Sequence, residues 1–175
     1  MIFDTHCHLN SEELYERLEE VLESAKKVGV DKFLVVGWNK ESSFKAVEIA
    51  HRYEGIYAAI GFHPTDIDDV SDDDYNETMA LVNDPKVVAI GEIGLDYHWV
   101  KDPVQREKQK EWFIKQINFA NDIANVLDLA LPEEKTKKAY SSFISKNIDR
   151  FNTAKRSYVD EDLAEIYGSC LEDIL

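Results

Sequence analysis

The fold of this chain is decided by its first ten residues, Met1-Ile2-Phe3-Asp4-Thr5-His6-Cys7-His8-Leu9-Asn10. Two apolar residues begin a strand, after which Asp4, His6 and His8 occupy alternate positions. Because successive side chains of a strand point to opposite faces, His6 and His8 lie on one face about 7 Å apart. Two imidazoles at that spacing can hold one divalent metal ion between them. The stretch therefore predicts a strand that ends in part of a metal site, which needs a carboxylate from elsewhere in the chain.

The rest of the chain predicts three further strands, each separated from the next by a helix. Strands are predicted at residues 1–9, 33–36, 56–62 and 87–90, and helices at 10–28, 41–53, 71–82 and from 102 to about 127. Strand and helix alternate four times, a pattern typical of right-handed crossovers and of a parallel sheet. Gly29 follows the apolar stripe of the first helix and is expected to end it. The sequence therefore predicts an α/β fold built from parallel βα units.

Capping residues mark two of the predicted helix starts. Asn10 caps the first helix, and Glu13, three residues further on, completes a capping box. At the long fourth helix, Asp102 is the cap, Pro103 occupies the first helical position and Gln105 is the box partner. Both signals are local, since they depend only on residues within the first turn of each helix.

The charge of the chain limits what it can bind. With 35 acidic and 20 basic residues, its net charge is −15. Such a chain repels phosphate backbones at long range, which disfavours a broad nucleic-acid-binding surface. A local site that grips one phosphate through metal ions is compatible with this charge, because the ions dominate the local field.

Length, apolar content and cysteine usage indicate a globular protein in a reducing compartment. The 175 residues, 44% of them hydrophobic, are enough for a domain with its own core. Cys7 and Cys170 are far apart in the sequence and form no disulfide framework. The sequence has no apolar segment long enough to span a bilayer, and its N-terminus lacks a basic region followed by an apolar run. We therefore expect a cytoplasmic protein that does not enter the membrane.

The residues with the strongest chemistry fall at the carboxyl ends of the predicted strands. His6 and His8 end the first strand, His63 ends the third and Glu92 ends the fourth. In a parallel βα fold the active site lies beyond these ends. Histidine nitrogens together with a carboxylate oxygen suit zinc, magnesium or manganese ions. Separate strands that deliver three histidines and one carboxylate to the same edge therefore predict a divalent-metal site.

Each candidate residue has an expected task. Glu92 can bridge two ions roughly 3.5–4 Å apart, which activates water and clamps a phosphate, and we assign the catalytic role to it. His63 is the candidate for contact with the substrate. Asp4 lies on the same strand face as the histidine pair and can orient a ligating imidazole. Asp96, in the loop after Glu92, is expected to order that loop and support the site from outside the ligand set.

Simpler interpretations exist for the same residues. A His-x-His pair can be two satisfied polar side chains near a strand end, and Glu92 can cap a loop or pair with a lysine. His63 precedes Pro64 and can serve only to shape a turn. The cluster Tyr97-His98-Trp99 can form a wall for a base or a sugar, although an ordinary loop cluster is the simpler interpretation. Cys7 points away from the histidines and is expected to be a small buried side chain.

Three segments, taken together, resemble the TatD family of metal-dependent hydrolases and deoxyribonucleases. They are Phe3-Asp4-Thr5-His6-Cys7-His8-Leu9, Gly61-Phe62-His63-Pro64 and Gly91-Glu92-Ile93-Gly94-Leu95-Asp96-Tyr97. The similarity covers residues 1 to about 120, and the three motifs in this order are highly specific.

The resemblance implies a TIM-type barrel with a divalent-metal site and hydrolysis of phosphodiester bonds by metal-activated water, often at DNA ends. By this likeness His6 and His8 are metal ligands, and Glu92 is a bridging ligand. The implied substrate is DNA or another phosphodiester, with His63 in contact with the scissile phosphate. A hydrolase of the same metal chemistry that acts on phosphate monoesters or amides is a further alternative.

The last part of the chain departs from the family pattern. The family continues with two histidines and an aspartate on later strands, all metal ligands, but here no histidine follows His98. Residues 129–135 resemble the restart of a helix where the family has an apolar strand. We therefore predict a partial TIM-type barrel of about four strands at 1–131 and a helical tail at 132–175. A truncated gene product, a frameshift and a fusion all fit this pattern.

Half a barrel leaves strand edges and an inner face exposed. The tail helices can cover that face, two copies can associate as a homo-oligomer through the sheet edges, or the protein can be poorly stable. We favour a tail packed on or beside the barrel region, because both tail helices have apolar stripes that need a partner. The alternative to a working hydrolase is consequently a catalytically impaired half-barrel that acts as a binding or assembly module. The sequence leaves open the identity and number of the metal ions and the exact substrate.

Overall fold

The computed structural model describes the backbone of residues 2–126 and the side chains of residues 2–123. The chain divides into two units, Met1–Asn121 and Asp122–Leu175, and the core and the site described below belong to the first. The strands are β1 (Ile2–Cys7), β2 (Val30–Val36), β3 (Ile56–Ile60) and β4 (Val87–Ile90). The helices are α1 (Glu12–Tyr15), α2 (Leu18–Lys27), α3 (Lys40–Arg52), α4 (Asp72–Ala80) and α5 (Pro103–Val126), with a 3-10 turn at Leu81–Asn83.

The four strands form one parallel sheet in the order β1-β2-β3-β4. Each strand lies beside the next strand of the sequence, and one or two helices connect them, as the strand–helix alternation predicted. The predicted α/β class with about four parallel strands is therefore confirmed. The predicted helical tail at 132–175 and the boundary at residue 131 lie outside the described residues and stay predictions.

The first helical region is more divided than predicted. In place of one helix over 10–28, the structure has α1 and α2, which are separated at residues 16–17. Gly29 follows α2 with φ +87°, a left-handed conformation that glycine adopts at little cost. Gly29 therefore ends this helical region, as predicted.

The predicted capping box at the first helix is wrong. Ser11 is the residue at the N-terminus of α1, and Asn10 is almost completely buried. The Asn10 amide donates to the carbonyl oxygens of Val36 and Ser42, at 2.9 Å in both cases. A buried carbonyl without a donor is costly, and the Asn10 amide supplies the donor for both of these carbonyls. The side chain therefore links elements distant in the sequence, and no cap involving Glu13 forms.

The prediction for the start of α5 is partly correct. Pro103 is its first residue, and the carboxylate of Asp102 accepts a hydrogen bond from the Val104 N–H at 2.9 Å. The box partner is wrong, because Gln105 donates to the carboxylate of Asp68 at 3.3 Å. A charged acceptor supplied by a neighbouring loop binds the Gln105 amide in place of its own helix start.

The helix-facing side of the sheet forms the main core. Its buried members are Leu9, Leu18, Phe33, Val35, Ala46, Val47, Ile49, Ala50, Ile56, Ala58 and Ile60. A second cluster lies against α5 and consists of Phe62, Ile67, Tyr75 and Met79, with Trp112 and Phe119 packed on it. The main core thus joins the sheet to α2 and α3, and the second cluster joins the loop after β3 to α4 and α5. The carboxyl edge of the sheet is left to carry polar residues.

Two buried glutamines attach α5 to the loops after β3 and β4. Gln116 donates to the carbonyl oxygen of Phe62 at 3.1 Å and accepts from the Phe62 N–H at 2.8 Å. Gln109 donates to the carbonyl oxygen of Pro64 at 3.1 Å and accepts from the Asp96 N–H at 2.9 Å. Because loops at the carboxyl edge carry no sheet hydrogen bonds of their own, these amides fix their backbone.

The two edge strands of the described sheet carry exposed apolar side chains, namely Ile2 and Phe3 on β1 and Val88 on β4. Unpaired edges of this kind are surfaces on which other strands can add. The predicted association of copies through these edges stays a prediction.

Among the described residues, no helix has both the length and the apolar character needed to cross a membrane.

Candidate metal centre

Three side chains predicted as metal ligands converge at the carboxyl edge of the sheet. The Nε2 atoms of His6 and His8 are 3.3 Å apart, and each is 3.7 Å from Oε2 of Glu92. They come from opposite edge strands of the described sheet, β1 and the end of β4. Among residues 2–123, His6, His8 and Glu92 are the three side chains of the metal-binding types (histidine, cysteine or acidic) that lie close enough together to share one ion.

The backbone after β4 carries Glu92 toward β1. The Gly91 N–H donates to the Ile60 carbonyl at the end of β3, at 2.8 Å. The next N–H, that of Glu92, donates to the Gly37 carbonyl after β2, at 2.7 Å, and the Gly91–Glu92 peptide bond is cis. These two hydrogen bonds lead the chain from the end of β4 across the ends of β3 and β2. The Glu92 carboxylate can therefore reach the histidines at the end of β1, although β1 and β4 are the two outer strands of the described sheet.

Gly61 makes room for this crossing. A Cβ atom at position 61 would lie 3.0 Å from the carbonyl carbon of Gly91 and 3.1 Å from the side chain of Ile93. These distances are tighter than ordinary contacts, so a larger residue pushes the segment that carries Glu92 away from the sheet. The absence of a side chain at position 61 therefore helps to set the position of the carboxylate.

The ring of His8 is oriented by a backbone carbonyl. Its Nδ1 lies 3.2 Å from the carbonyl oxygen of Val36. A carbonyl can only accept, so Nδ1 carries a proton in this contact, which in the neutral ring leaves the lone pair on Nε2, the atom that faces the cluster. The indole of Trp38 packs edge-on against the His8 ring, with centroids 5.2 Å apart. Both contacts fix the orientation of the His8 ring, with Nε2 toward the cluster.

His6 is the most exposed member of the cluster, and its ring packs edge-on against His8 with centroids 5.1 Å apart. Asp4 does not hydrogen-bond an imidazole in the described structure. Its carboxylate accepts from the backbone N–H of His6 at 3.2 Å, so it supports the end of the strand. The expectation that Asp4 orients a ligating ring stays a prediction.

The geometry of the cluster fits a divalent ion. For metal–ligand bonds of roughly 2.0–2.1 Å, the ligand atoms of a tetrahedral site lie roughly 3.3–3.4 Å apart. The three separations here, 3.3, 3.7 and 3.7 Å, are close to that range. Two nitrogens and one carboxylate oxygen suit zinc or manganese, and a three-ligand set leaves coordination positions for substrate. All three side chains are partly exposed to solvent, so a substrate can reach them.

His63 lies outside this cluster. Its Nδ1 is 2.7 Å from the hydroxyl of Thr65, which in turn donates to the carboxylate of Asp66 at 2.8 Å. The backbone N–H of His63 donates to the Trp38 carbonyl at 2.8 Å, which ties the loop after β3 to the end of β2. These contacts support the interpretation that His63 shapes the turn. Contact between His63 and a substrate stays a prediction.

Asp96 orders the loop that follows Glu92. Its carboxylate accepts from the backbone N–H groups of His98 and Trp99, both at 2.9 Å, and its own N–H donates to Gln109. These are the contacts expected of a residue that shapes the loop. Asp96 is not a member of the three-residue cluster.

Cys7 faces away from the cluster. Its thiol donates to the Leu34 carbonyl at 3.3 Å, and the side chain packs on the main core. Burial, followed by the charge of Asp4, raises the pKa of the Cys7 thiol to about 12. The sulfur therefore stays protonated at neutral pH.

Sequence reasoning missed the residues that support the cluster, above all Asn10, Gln109 and Trp38. Gln109 and Gln116 are seven residues apart and therefore share a helix face, which is also the face of Trp112. Two amides on an otherwise apolar stripe are the signal that identifies buried polar contacts. Nothing comparable in the sequence marks Asn10, which stands where a helix cap is equally plausible.

A family model described as TatD related DNase matches residues 3–148. The uncharacterized metal-dependent hydrolase YabD of Bacillus subtilis is 46% identical over 123 residues, which cover 70% of this chain and 48% of that protein. A protein of Cronobacter turicensis named 3'-5' ssDNA/RNA exonuclease TatD is 32% identical over 123 residues, covering 70% of this chain and 46% of that protein. The chain therefore spans about half the length of these relatives.

Solved structures match the same region. The TatD homologue YjjV of Escherichia coli aligns with a TM-score of 0.62 and 32% identity, over 68% of this chain and 46% of that chain. A hydrolase of the TatD family from Entamoeba histolytica aligns with a TM-score of 0.59 and 26% identity, over 66% and 44% of the two chains. The parallel sheet with its helices thus matches TIM-barrel structures of this family, and the predicted fold class is confirmed.

Proposed function

Because this chain belongs to the TatD family of metal-dependent hydrolases, we propose that it hydrolyses phosphodiester bonds at a divalent-metal site formed by His6, His8 and Glu92. The observation that carries the proposal is the convergence of two imidazole nitrogens and one carboxylate oxygen within 3.7 Å of one another. The name of the Cronobacter relative, a 3'-5' ssDNA/RNA exonuclease, supports an unpaired DNA or RNA strand as the substrate.

A divalent ion bound by these side chains supplies positive charge to the phosphate and acidity to a water molecule. The chain has a net charge of −15, so without such an ion the local field repels the substrate. Each imidazole would hold such an ion through Nε2, and the Val36 carbonyl favours the His8 tautomer with its proton on Nδ1. Glu92 contributes the negative charge that makes the set selective for cations.

Glu92 is also the residue to which we assign proton transfer. Its Oε2 faces both imidazoles, so Oε1 is the oxygen that we expect to accept a proton from the attacking water. His63 is proposed to bind a phosphate oxygen. Its Nδ1 is engaged by Thr65, which leaves Nε2 as the atom for that contact.

Hydrolysis of a dye-labelled single-stranded oligonucleotide by the full chain, with zinc, manganese or magnesium added in turn, tests the proposal. Glu92→Gln keeps the shape of the side chain but removes its charge. We expect its rate to fall at least about 100-fold, since even outer partners of metal ligands are worth about 10- to 100-fold. Glu20→Gln is the matched control, because Glu20 is an exposed glutamate on α2 paired with Arg17. Equal rates for Glu92→Gln and the unchanged chain contradict the proposal.

A second candidate is a binding or assembly module without hydrolytic activity. The exposed apolar side chains of Ile2, Phe3 and Val88 on the edge strands favour it. It requires weak metal binding and a mass above that of one chain in solution. Stoichiometric metal in elemental analysis, together with a monomer mass in light scattering, argues against it. The cytoplasmic location expected from the sequence stays a prediction.

A further inference from the structure

The loop after β4 displays a tryptophan to solvent. The side chain of Trp99 is 77% exposed, the highest value among the large apolar residues of the described chain. We propose that Trp99 is a platform on which an unpaired nucleobase of the substrate strand stacks. This inference rests on the proposed function, and it adds the residue that distinguishes a strand with accessible bases from a paired one.

The position of Trp99 is fixed by its own loop. The Asp96 carboxylate accepts from the backbone N–H groups of His98 and Trp99, both at 2.9 Å. The N–H of Asp96 is in turn bonded to the buried amide of Gln109 on α5. An exposed aromatic residue on an ordered backbone loses little conformational freedom when it binds, which is the property that makes a platform effective.

Two basic side chains brace the same loop, Arg106 from α5 and Lys101 from the loop itself. Arg106 donates from Nε to the Val100 carbonyl at 3.0 Å and from its terminal nitrogen to the Tyr97 carbonyl at 3.3 Å. Its guanidinium also lies over the Tyr97 ring, 4.5 Å from the centroid. Lys101 donates to the same Tyr97 carbonyl at 2.8 Å. The loop is therefore held on both sides of Trp99, and its conformation does not depend on the indole itself.

The indole has one ring neighbour in the described structure. The His98 ring stands perpendicular to it, with centroids 4.6 Å apart. No hydrogen bond or cation contact of the Trp99 side chain occurs among the described residues, and its high exposure leaves ring surface free for a planar ligand. A nucleobase fits this surface, since bases stack on aromatic side chains whatever their sequence.

Trp99 follows β4 in the chain, and the carboxyl end of β4 belongs to the sheet edge that carries the cluster. Trp99 is seven residues from Glu92 in the sequence, which limits the separation of their Cα atoms to about 25 Å. Loops after the strands of a parallel βα fold collect on that edge. A strand of a few nucleotides is long enough to span that distance, with one phosphate at the cluster and a base further along the strand on Trp99.

The charge of the chain explains why a stacking contact is needed. Long-range attraction for a phosphate backbone is absent from a chain with net charge −15. Residues 97–116 are a local exception, with five basic and three acidic residues. Stacking adds affinity that does not depend on charge, and it requires bases that are not already paired. A single strand is consequently the preferred ligand.

The test is the dissociation constant of the full chain for a dye-labelled ten-nucleotide single strand, measured by fluorescence anisotropy with calcium in place of the catalytic ion. Trp99→Ala is expected to weaken binding by about 5- to 100-fold, the range for loss of one stacked base. Trp99→Phe keeps a ring and is expected to stay within about 3-fold of the unchanged chain. Trp99→Leu keeps apolar bulk without a ring and is expected to bind as weakly as Trp99→Ala.

Two controls separate stacking from other effects. Val104→Ala removes an equally exposed apolar side chain close to the loop and is expected to leave binding unchanged. An abasic strand of the same length is expected to bind the unchanged chain and Trp99→Ala equally. Equal binding of the base-containing strand by Trp99→Ala and the unchanged chain, equal binding by Trp99→Leu and the unchanged chain, or no binding by the unchanged chain overturns the inference.

The outcome is independent of the hydrolysis test. If Glu92→Gln is as active as the unchanged chain while Trp99→Ala binds weakly, the metal proposal fails and the platform stands. If Glu92→Gln is inactive while Trp99→Ala binds normally, the platform fails and the metal proposal stands.

Discussion

On the helix-facing side of the sheet, Val35 and Ile49 are completely buried, whereas at the carboxyl edge the side chains of His6, His8 and Glu92 are 53%, 37% and 33% exposed. The buried side is held by apolar contacts that depend on close packing. The edge is held by hydrogen bonds from backbone groups that belong to the ends of several strands. A change on the buried side should therefore alter the stability of the protein, and a change at the edge should alter metal binding.

Truncation of a core side chain gives the largest expected change in stability. Ile49 lies on α3 and is fully buried, so Ile49→Ala is expected to lower the free energy of unfolding by about 2–5 kcal/mol. Urea unfolding of the full chain measures it, with Ile49→Val expected to lose about 0.5–1.5 kcal/mol. Ile114→Ala is the matched control, because Ile114 is a helical isoleucine that is half exposed. Equal losses at the two positions contradict the division between core and edge.

Removal of one imidazole at the edge gives the largest expected change in metal affinity. His6→Ala is expected to weaken zinc binding at least about 100-fold, beyond the effect of an outer partner, with the free energy of unfolding of the metal-free chain changed by about 0.5 kcal/mol or less. Competition with a chromophoric chelator measures the affinity. His51→Ala is the control. His51, on α3, is about as exposed as His6, but it pairs with Asp84 in the turn before β4. A loss of affinity shared by both variants indicates adsorption of zinc to surface histidines.

The sequence predicts those parts of the core and of the carboxyl edge that follow from periodicity. Apolar runs and stripes place four strands and their helices, and motif positions at strand ends place His6, His8 and Glu92 on one edge. Their actual approach depends on the bond from the Glu92 N–H to the Gly37 carbonyl, which no spacing in the sequence encodes. The grouping of these three side chains at one edge could thus be predicted, but the path that brings the carboxylate over β3 could not.

The failed predictions have one physical origin. Asn10 and Gln105 were assigned to helix caps because capping is a local rule, yet both amides bond groups distant in the sequence. Amide side chains at helix starts have two competing uses, and burial against another element decides between them. The helix break at residues 16–17 is also unmarked in the sequence, since the apolar stripe continues through it.

Asn10 is the residue that joins the two regions. It is buried like the core, yet its amide bonds the Val36 carbonyl that also accepts from His8. Asn10→Ala is expected to weaken zinc binding about 10-fold through His8 and to lower the free energy of unfolding by about 1–2 kcal/mol. Asn83→Ala is the control, because Asn83 makes one exposed bond to the Ala80 carbonyl. An effect on stability alone shows that Asn10 belongs only to the core.

The smallest expected effect comes from a partly exposed pair that belongs to neither region, His51 and Asp84, whose Nε2 and Oδ2 atoms are 2.7 Å apart. The hydrogen bond from His51 is the main cause that holds the pKa of the Asp84 carboxyl below its ordinary value of 3.8. A lowered carboxyl pKa stabilises the folded chain fully above pH 3.8, and the contribution disappears as the pH falls through the folded-state value.

Asp84→Asn is therefore expected to cost about 0.5 kcal/mol or less near pH 6, as for other exposed pairs, and to lose that difference toward pH 2. Urea unfolding of both proteins at several pH values measures it. A difference that stays constant with pH means that the carboxylate charge contributes nothing, and that only packing and hydrogen bonding at the turn before β4 are altered.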